Sequence, residues 1–260
     1  QRSKVIGHLF QDPLKGTAPN MTIEENLALA YLRAGTAPHA IFSRISRKDK
    51  EVFREKLALL DMGLEDRMKQ PVGLLSGGQR QALTLLMAAL RTPKLLLLDE
   101  PTTALDVTIQ AQILQLLKKM QVKYDLTILL ITHDLGVVAN IADRVAVMYA
   151  GDIVEIGTAD EIYYDPRHPY TWALLSSMPQ MGIKGEDLFN IQGTPPNLFT
   201  EIHGDAFAPR NPQALKIDFV KRPPYFEVSP THKAKTWLLD PRAPKVEPPL
   251  AVRLLKEEGM

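Results

Sequence analysis

Two adjacent carboxylates follow an apolar stretch of the chain, at a position where acidic side chains can do chemistry. Asp99 and Glu100 come directly after Leu95–Leu98, which the sequence predicts as a buried strand. In a parallel sheet, the ligand crevice lies at the carboxyl ends of the strands. There, one carboxylate can hold Mg²⁺ while its neighbour orients a water molecule. Seen alone, the pair also fits a turn with solvated acids.

A histidine and a glutamine also lie just after strand-like runs of the sequence. His133 follows the apolar run Thr127–Ile131 closely, and Gln11 follows a strand-like run that ends at Phe10. A lone histidine is more often structural, but at the sheet edge that carries the two acids it can reach a terminal phosphate. For Gln11, the position alone does not indicate a function.

A serine and two glycines precede a predicted helix, where backbone amides suit an anion. Ser76, Gly77, Gly78 and Gln79 lie at the start of the helix predicted over Gln79–Leu90. Glycine lets the backbone approach a phosphate closely, and the serine hydroxyl can donate a hydrogen bond to it. An ordinary helix cap is the alternative for a bare Ser-Gly-Gly. The acids that end the next predicted strand favour the anion site.

The elements that must position these residues follow from hydrophobic periodicity. From Thr92 to Tyr149, short apolar runs alternate with longer amphipathic ones, which predicts an α/β fold with a mostly parallel sheet. The predicted strands are Leu95–Leu98, Thr127–Ile131 and Val145–Tyr149. A predicted helix between the first two has one apolar stripe, formed by Ile109, Ile113, Leu116, Leu117 and Met120.

The domain organisation follows changes in composition. Residues 21–90 are helical and charged in character, which predicts an inserted helical subdomain ahead of a core at 91–157. The main domain, 1–178, closes after a short helix that Thr158 and Glu161 open as a capping box. Eleven of the 20 prolines lie from Pro195 onward. The sequence therefore predicts an extended, proline-rich appendage at 182–260, with a few short strands.

The overall composition excludes several classes of function. No cysteine is present, which excludes disulfides and thiolate metal sites and fits a reducing compartment. The formal net charge is +1, so bulk attraction to a nucleic acid is not expected. No apolar run approaches the roughly 18 to 20 residues that a membrane-spanning helix needs. We therefore expect a peripheral or soluble protein without a nucleic-acid partner.

Together these residues resemble the ATP-binding-cassette (ABC) ATPases, whose motifs occur here in that family's order. The resemblance covers Val5–Met178 and implies a P-loop NTPase-like fold. The matching positions are Gln11 for the glutamine loop, Leu75–Gln79 for the signature, Leu95–Glu100 for the Walker B strand, Ala104–Asp106 for the D-loop and His133 for the switch histidine.

The resemblance implies a role for each residue at the predicted sheet edge. Asp99 and Gln11 would help to organise Mg²⁺, and Gln11 would also lie against the nucleotide. Glu100 would act as general base on the attacking water, and His133 would contact the γ-phosphate. A positioned base of this kind contributes about 10² to 10⁴ in rate.

The resemblance also implies a second nucleotide-binding surface on the chain. Ser76, Gly77, Gly78 and Gln79 of the signature would close over ATP held by a second subunit, because the family works as a head-to-tail pair. Asp106 of the D-loop is assigned to the same nucleotide-binding set. A second ABC ATPase subunit is therefore an expected partner.

One motif of the family does not occur. No Gly-x-x-x-x-Gly-Lys-Ser/Thr, the Walker A loop that cradles the β and γ phosphates, is found in the 260 residues. The family places this loop upstream of the position of Gln11. We therefore expect that the loop and its helix precede this sequence in the natural protein, and that the chain alone is inactive.

The second half of the chain looks like the oligopeptide and dipeptide importer branch. The resemblance rests on Asp99–Gln112, Arg167–Leu175 and Gln192–Pro196. Many relatives hold an iron–sulfur cluster with two cysteines in a Gly-Cys-x-Phe-x-x-Arg-Cys arrangement. Asp205 and Asn211 stand at those positions here, so no cluster is expected.

The first half fits that branch less well. Gly16–Asn26 and Arg80–Leu86 resemble a different importer-like branch of the same superfamily, and the change falls near Leu98. Natural divergence and a chimeric origin both explain this change. Peptides are the substrate that the second half implies.

Two functions remain open from the sequence. The first is an ATP-hydrolysing subunit on the cytoplasmic face of the membrane, bound to transmembrane permease subunits and served indirectly by an extracytoplasmic substrate-binding protein. The second is a non-catalytic module that lends only its signature to a partner's ATP site. A soluble ABC ATPase for translation or repair is disfavoured because such proteins carry fused cassettes or long insertions.

Overall fold

The computed structural model describes residues 5–9, 16–33, 45–90, 93–103, 105–178 and 191–258. The chain divides into two compact units, Gln1–Val137 and Val138–Met260. Each unit has its own sheet and its own buried core.

The first unit contains a three-stranded parallel sheet in the order β1-β2-β3. Its strands are β1 (Ile6–Leu9), β2 (Leu95–Asp99) and β3 (Thr127–Ile131). Residues Leu95 to Asp99 pair in register with Thr127 to Ile131, so β2 and β3 end side by side. The helices are α1 (Ile23–Arg33), α2 (Arg47–Ala58), α3 (Gly77–Ala89) and α4 (Val107–Tyr124), followed by α5 (Leu135–Ile141), which spans the boundary between the units.

The apolar stripe of α4 lies where the sequence predicts it. Four of its five members are buried, namely Ile113, Leu116, Leu117 and Met120. Other buried side chains of this unit include Leu9, Ile23, Leu27, Phe53, Leu57, Leu83, Leu86, Leu96 and Leu98. The predicted helix over Gln79–Leu90 is also present, as α3, and begins two residues earlier because Ser76 caps it. Ser46 caps α2 in the same way.

The two faces of the parallel sheet differ in exposure. Leu96 and Leu98 of β2 are fully buried on one face. On the other face, Leu129 and Ile131 of β3 are 51% and 49% exposed. Parallel sheets are usually covered on both faces, so the apolar side chains of β3 form an open surface in this unit.

The second unit is built on an antiparallel sheet in the order β4-β5-β7-β6. Its strands are β4 (Arg144–Tyr149), β5 (Asp152–Thr158), β6 (Phe226–Glu227) and β7 (Lys233–Ala234). Its helices are α6 (Ala159–Tyr164), α7 (Pro169–Ser176) and α8 (Leu250–Glu258). The capping box of Thr158 and Glu161 is present at the start of α6, as predicted.

The α/β fold is confirmed, but the expectation that Val145–Tyr149 adds a strand to the parallel sheet is wrong. That segment is β4, which pairs antiparallel with β5 in the second sheet. The reason is the turn between them, where Ala150 and Gly151 both have positive φ, at 49° and 82°. Two such residues form the tight hairpin turn that matches the twist of antiparallel strands.

The compact units also differ from the predicted limits of 1–178 and 182–260. Residues on both sides of residue 180 share one core, because Val147, Tyr149, Val154, Ile162 and Ala173 pack with Phe207. In addition, Glu155 of β5 pairs with Ala234 of β7. The predicted appendage therefore completes the sheet and the core of the unit that begins at Val138.

A buried contact between a glutamate and a histidine holds the second unit together. The Glu155 carboxylate is fully buried and lies 2.7 Å from Nε2 of the equally buried His232. It also accepts hydrogen bonds from the backbone N–H groups of Arg167 and His168, at 2.6 and 3.1 Å. One carboxylate thus joins β5, the start of α7 and the segment that leads into β7.

We predict that His232→Ala lowers the free energy of unfolding of this unit by about 1–3 kcal/mol, because it leaves the buried Glu155 carboxylate without one of its hydrogen-bond partners. Guanidinium denaturation followed by tryptophan fluorescence measures this, since Trp172 and Trp237 both lie in the second unit. Arg242→Ala is the control, because it removes only a surface pair whose arginine is 86% exposed. Equal denaturation midpoints for the two variants would contradict the prediction.

Candidate functional site

Glu100 stands at the carboxyl end of β2, where the parallel sheet ends. Its backbone N–H donates to the carbonyl of Ile131 at 2.9 Å, which continues the pairing of β2 with β3 by one residue. Its φ is 47°, in the left-handed region that residues with a Cβ rarely adopt. The conformation costs about 1–2 kcal/mol, and the flanking pairing holds it in place.

Four donors among the described residues surround the Glu100 carboxylate. Oε1 accepts from the backbone N–H of His133 at 3.1 Å and lies 2.6 Å from Nδ1 of the same residue. Oε2 accepts from the hydroxyls of Thr103 at 2.9 Å and Thr132 at 3.3 Å. Since a carboxylate has about four acceptor positions, its acceptor capacity is used by the protein.

These contacts decide the charge of the Glu100 side chain. Burial is the largest single influence and raises its pKa, because the side chain is only 17% exposed. Hydrogen bonds from His133 and Thr103, together with attraction to the imidazole, outweigh burial and hold the pKa below its ordinary value of 4.5. Glu100 is therefore ionised at neutral pH.

His133 contacts Glu100 through its ring, although its side chain is 82% exposed. Because the ionised carboxylate can only accept, Nδ1 carries the proton in this contact. The loop around His133 is fixed by its neighbours: Asp134 accepts from the backbone of Val137 at 3.1 Å and from the Gln110 side chain at 3.1 Å. The histidine therefore stands on a loop held to both α4 and α5.

Asp99 is the last residue of β2 and is half-buried beside Glu100. No hydrogen bond or ion pair of its carboxylate occurs within the described parts of the chain. Mg²⁺ takes one or two carboxylates and completes its shell with water and phosphate oxygens, so this donor fits the ion. No cluster of three or more potential metal-ligating side chains occurs in residues 5–9, 16–33, 45–90, 93–103, 105–178 and 191–258. Gln11, the other predicted ligand, lies outside the described residues.

The signature residues open α3 as a reciprocal cap. Ser76 is the N-cap, and its hydroxyl accepts from the backbone N–H of Gln79 at 3.3 Å. The Gln79 side chain accepts in return from the backbone N–H of Ser76 at 3.2 Å. Ser76 can cap the helix and also donate to an anion, because the cap does not use its hydroxyl proton.

The two glycines of the signature have different surroundings. A Cβ at Gly77 would meet nothing within 4 Å, whereas a Cβ at Gly78 would lie 2.3 Å from Cγ2 of Ile109. Gly78 is therefore required for the contact between α3 and α4. Gly77 leaves the backbone open to solvent.

Asp106 is the N-cap of α4, and its carboxylate accepts from the backbone N–H of Ile109 at 2.9 Å. Ile109 is also the residue that lies against Gly78. The D-loop and the signature are thus joined through one residue, Ile109. Whether Asp106 also binds nucleotide stays a prediction.

The structure brings together Glu100 and His133, with Asp99 adjacent in the chain. Ser76–Gln79 and Asp106 lie at the starts of α3 and α4, and Gln81 joins α3 to the turn after Glu100 by donating to the carbonyl of Pro101 at 2.9 Å.

Sequence analysis missed three residues that shape the site, namely Thr103, Thr132 and Gln81. The signal that could have found the threonines is their position. Thr103 lies between Glu100 and Asp106, and Thr132 directly precedes His133. Hydroxyl groups so close in sequence to a buried acid are candidate donors to it.

None of the described helices is long and apolar enough to cross a membrane.

Two family models match the chain. One, described as "Oligopeptide/dipeptide transporter, C-terminal region", matches residues 154–217. The other, described as "AAA domain, putative AbiEii toxin, Type IV TA system", matches residues 22–139.

The curated relatives that the chain resembles carry transport names. The oligopeptide transport ATP-binding protein OppD of Bacillus subtilis is 54% identical over 97% of this chain and 69% of that protein. The oligopeptide transport ATP-binding protein AmiE of Streptococcus pneumoniae is 47% identical, over 99% and 71%. The dipeptide transport ATP-binding protein DppD of Lactococcus lactis is 48% identical, over 95% and 69%.

A solved structure agrees with the fold. The "Dimeric structure of a post-hydrolysis state of the ATP-binding cassette MJ0796 bound to ADP and Pi" matches with a TM-score of 0.51 and 26% identity, over 61% of this chain and 64% of that one. The fold and the site together define an ABC ATPase. The chain belongs to the family of oligopeptide and dipeptide transport ATP-binding proteins.

We predict that Gly78→Ala destabilises the packing of α3 on α4 by about 1–3 kcal/mol, because the new methyl group overlaps Ile109. Gly77→Ala is the matched control and leaves folding unchanged. Amide hydrogen exchange in α3 and α4 measures the difference. The combination Gly78→Ala with Ile109→Ala should be less destabilised than the sum of its single variants, and simple additivity would contradict the contact.

Proposed function

We propose that the chain is the ATP-binding and ATP-hydrolysing subunit that energises an ABC importer of oligopeptides or dipeptides. The observation that carries this proposal is the ionised Glu100 carboxylate, 2.6 Å from the ring of His133 at the shared end of β2 and β3. The names of the relatives, which are transport ATP-binding proteins for oligopeptides and dipeptides, support the substrate class.

Glu100 is the general base of this reaction. The oxygen of a water molecule bonds to the γ-phosphorus of ATP, and the proton of that water goes to the Glu100 carboxylate. The bond between the γ-phosphorus and the bridging oxygen breaks, and its electron pair leaves with ADP. The lowered pKa keeps Glu100 ionised at neutral pH, as a base must be. His133 turns from Glu100 to contact the γ-phosphate.

Asp99 and Gln11 hold Mg²⁺ in this proposal. The ion, when bound, neutralises negative charge that develops on the phosphate oxygens. The support for Asp99 is its half-buried carboxylate directly beside the base. Gln11 rests on the family motif alone.

A second ABC ATPase subunit completes the ATP site. Ser76, Gly77, Gly78 and Gln79 lie against ATP held by that subunit, with Asp106 nearby. The open backbone at Gly77 and the free hydroxyl proton of Ser76 support this assignment. The matching structure of MJ0796, described as a dimer bound to ADP and Pi, agrees with an arrangement of two subunits.

The other partners follow from the transport function. The subunit binds transmembrane permease subunits at the cytoplasmic face of the membrane, and a substrate-binding protein on the other side acts with it indirectly. No nucleic acid takes part. The formal charge of +1 supports the last point, because binding to phosphate backbones requires clustered positive charge.

No iron–sulfur cluster is part of this proposal, because the chain has no cysteine and the two residues at the cluster positions serve their own loop. Asp205 accepts from the backbone N–H of Phe207 at 3.0 Å, and Asn211 accepts from that of Gln213 at 2.9 Å. Burial raises the pKa of Asp205 to about 6. Oxygen ligands of this kind do not fit a cluster that thiolates hold.

The catalytic function is favoured over a module that lends only its signature, because Glu100 and His133 are both present and in contact. The 260-residue chain alone does not turn over ATP, since its sequence contains no Walker A loop.

We predict that Glu100→Gln in the complete subunit, within its assembled transporter, lowers kcat for ATP about 10² to 10⁴-fold while ATP binding persists. Glutamine keeps the shape of the side chain but is not a base. Glu201→Gln is the matched control, since that side chain is 82% exposed. Full hydrolysis by Glu100→Gln would refute the proposed role.

We also predict that the 260-residue chain alone gives no saturable signal when a fluorescent ATP analogue is titrated with Mg²⁺, because the phosphate cradle is missing from it. Adding Mg²⁺ without the analogue is the control. Tight binding would mean that another segment of the chain cradles the phosphates.

A further inference from the structure

We propose that Thr103 and Thr132 are positioning residues that anchor Oε2 of Glu100, so that Oε1 is the oxygen that takes the proton from water. This inference rests on the proposed function, because it concerns how the same carboxylate is held.

The two oxygens of Glu100 have different kinds of partner. Both contacts of Oε1 come from His133, through its backbone N–H and its ring. Both contacts of Oε2 come from threonine hydroxyls, at 2.9 and 3.3 Å. Because all four positions are used, the carboxylate can accept from a water molecule only after one donor leaves.

The imidazole of His133 is the donor that can leave at least cost. Its side chain is 82% exposed, so water replaces the lost contact. Glu100 is the hydrogen-bond partner that the described residues offer its ring. Departure of the ring frees a position on Oε1 and leaves both contacts of Oε2 intact.

Further hydrogen bonds fix the segments that carry the two threonines. Thr103 closes a turn in which its own N–H donates to the carbonyl of Glu100 at 3.3 Å. The hydroxyl of Thr132 also accepts from the backbone N–H of Asp134 at 3.2 Å, which fixes its direction. Both side chains are β-branched and short, so few rotamers are available to them.

Anchoring one oxygen fixes the direction of the other. Oε1 therefore stays in one place while its contact with the ring is exchanged for a contact with water. The proton of that water moves to Oε1 as its oxygen bonds to the γ-phosphorus and ADP departs with the electron pair. Orientation of this kind matters because small displacements of a base cost much of its effect.

The test uses Thr103→Val and Thr132→Val, which remove the hydroxyl and keep the shape, in the complete subunit within its transporter. Thr103→Ser and Thr132→Ser keep the donor. Thr108→Val is the matched control, because Thr108 is exposed on α4. Each variant is measured for kcat, KM for ATP and thermal stability.

We expect each valine variant to lower kcat about tenfold, as the loss of one positioned hydrogen bond does, with KM for ATP changed less than about twofold. The serine variants should restore kcat, and Thr108→Val should match the unmodified protein.

An unchanged kcat in both valine variants, with Glu100→Gln still inactive, would overturn the anchor and leave the proposed function standing. Serine variants as slow as the valine variants would also overturn it, since packing would then be the cause. If one valine variant fails to fold, kcat and KM of the other valine variant decide. Continued turnover by Glu100→Gln would instead refute the proposed function itself.

Discussion

The pairing of β2 with β3 is the constraint on which the site depends. The register from Leu95–Thr127 to Asp99–Ile131 brings two loops to one edge of the sheet. The next backbone contact, from the Glu100 N–H to the Ile131 carbonyl, sets the start of both loops. Everything that surrounds the carboxylate comes from the few residues after these strands. A shift of this register by one residue would turn every side chain of one strand to the opposite face.

The strands of the parallel sheet and the starts of several helices could be predicted from the sequence, for physical reasons. Strands buried in a parallel sheet are short solid apolar runs, and their ends are marked by the first polar residues. The starts of α2, α3 and α6 were predictable because a serine or threonine begins each of them, with an acid or an amide three residues later. Such signals are local, so one sequence suffices to find them.

Other features could not be predicted because they depend on contacts distant in sequence. The apolar pattern of Val145–Tyr149 is the same for a parallel and an antiparallel strand, and the turn at Ala150 and Gly151 decides between them. The role of Gly78 depends on Ile109, and the joined core of the second unit depends on Phe207. Each of these features depends on tertiary packing, which hydrophobic periodicity in the sequence does not reveal.

The backbone of Glu100 records a compromise between stability and activity. A left-handed conformation favours glycine, so the backbone works against glutamate at this place, while the hydrogen bonds to its carboxylate work in its favour. Glycine at residue 100 would relieve the backbone and remove the carboxylate together. A variant that gains thermal stability at residue 100 in this way would therefore lose the proposed general base.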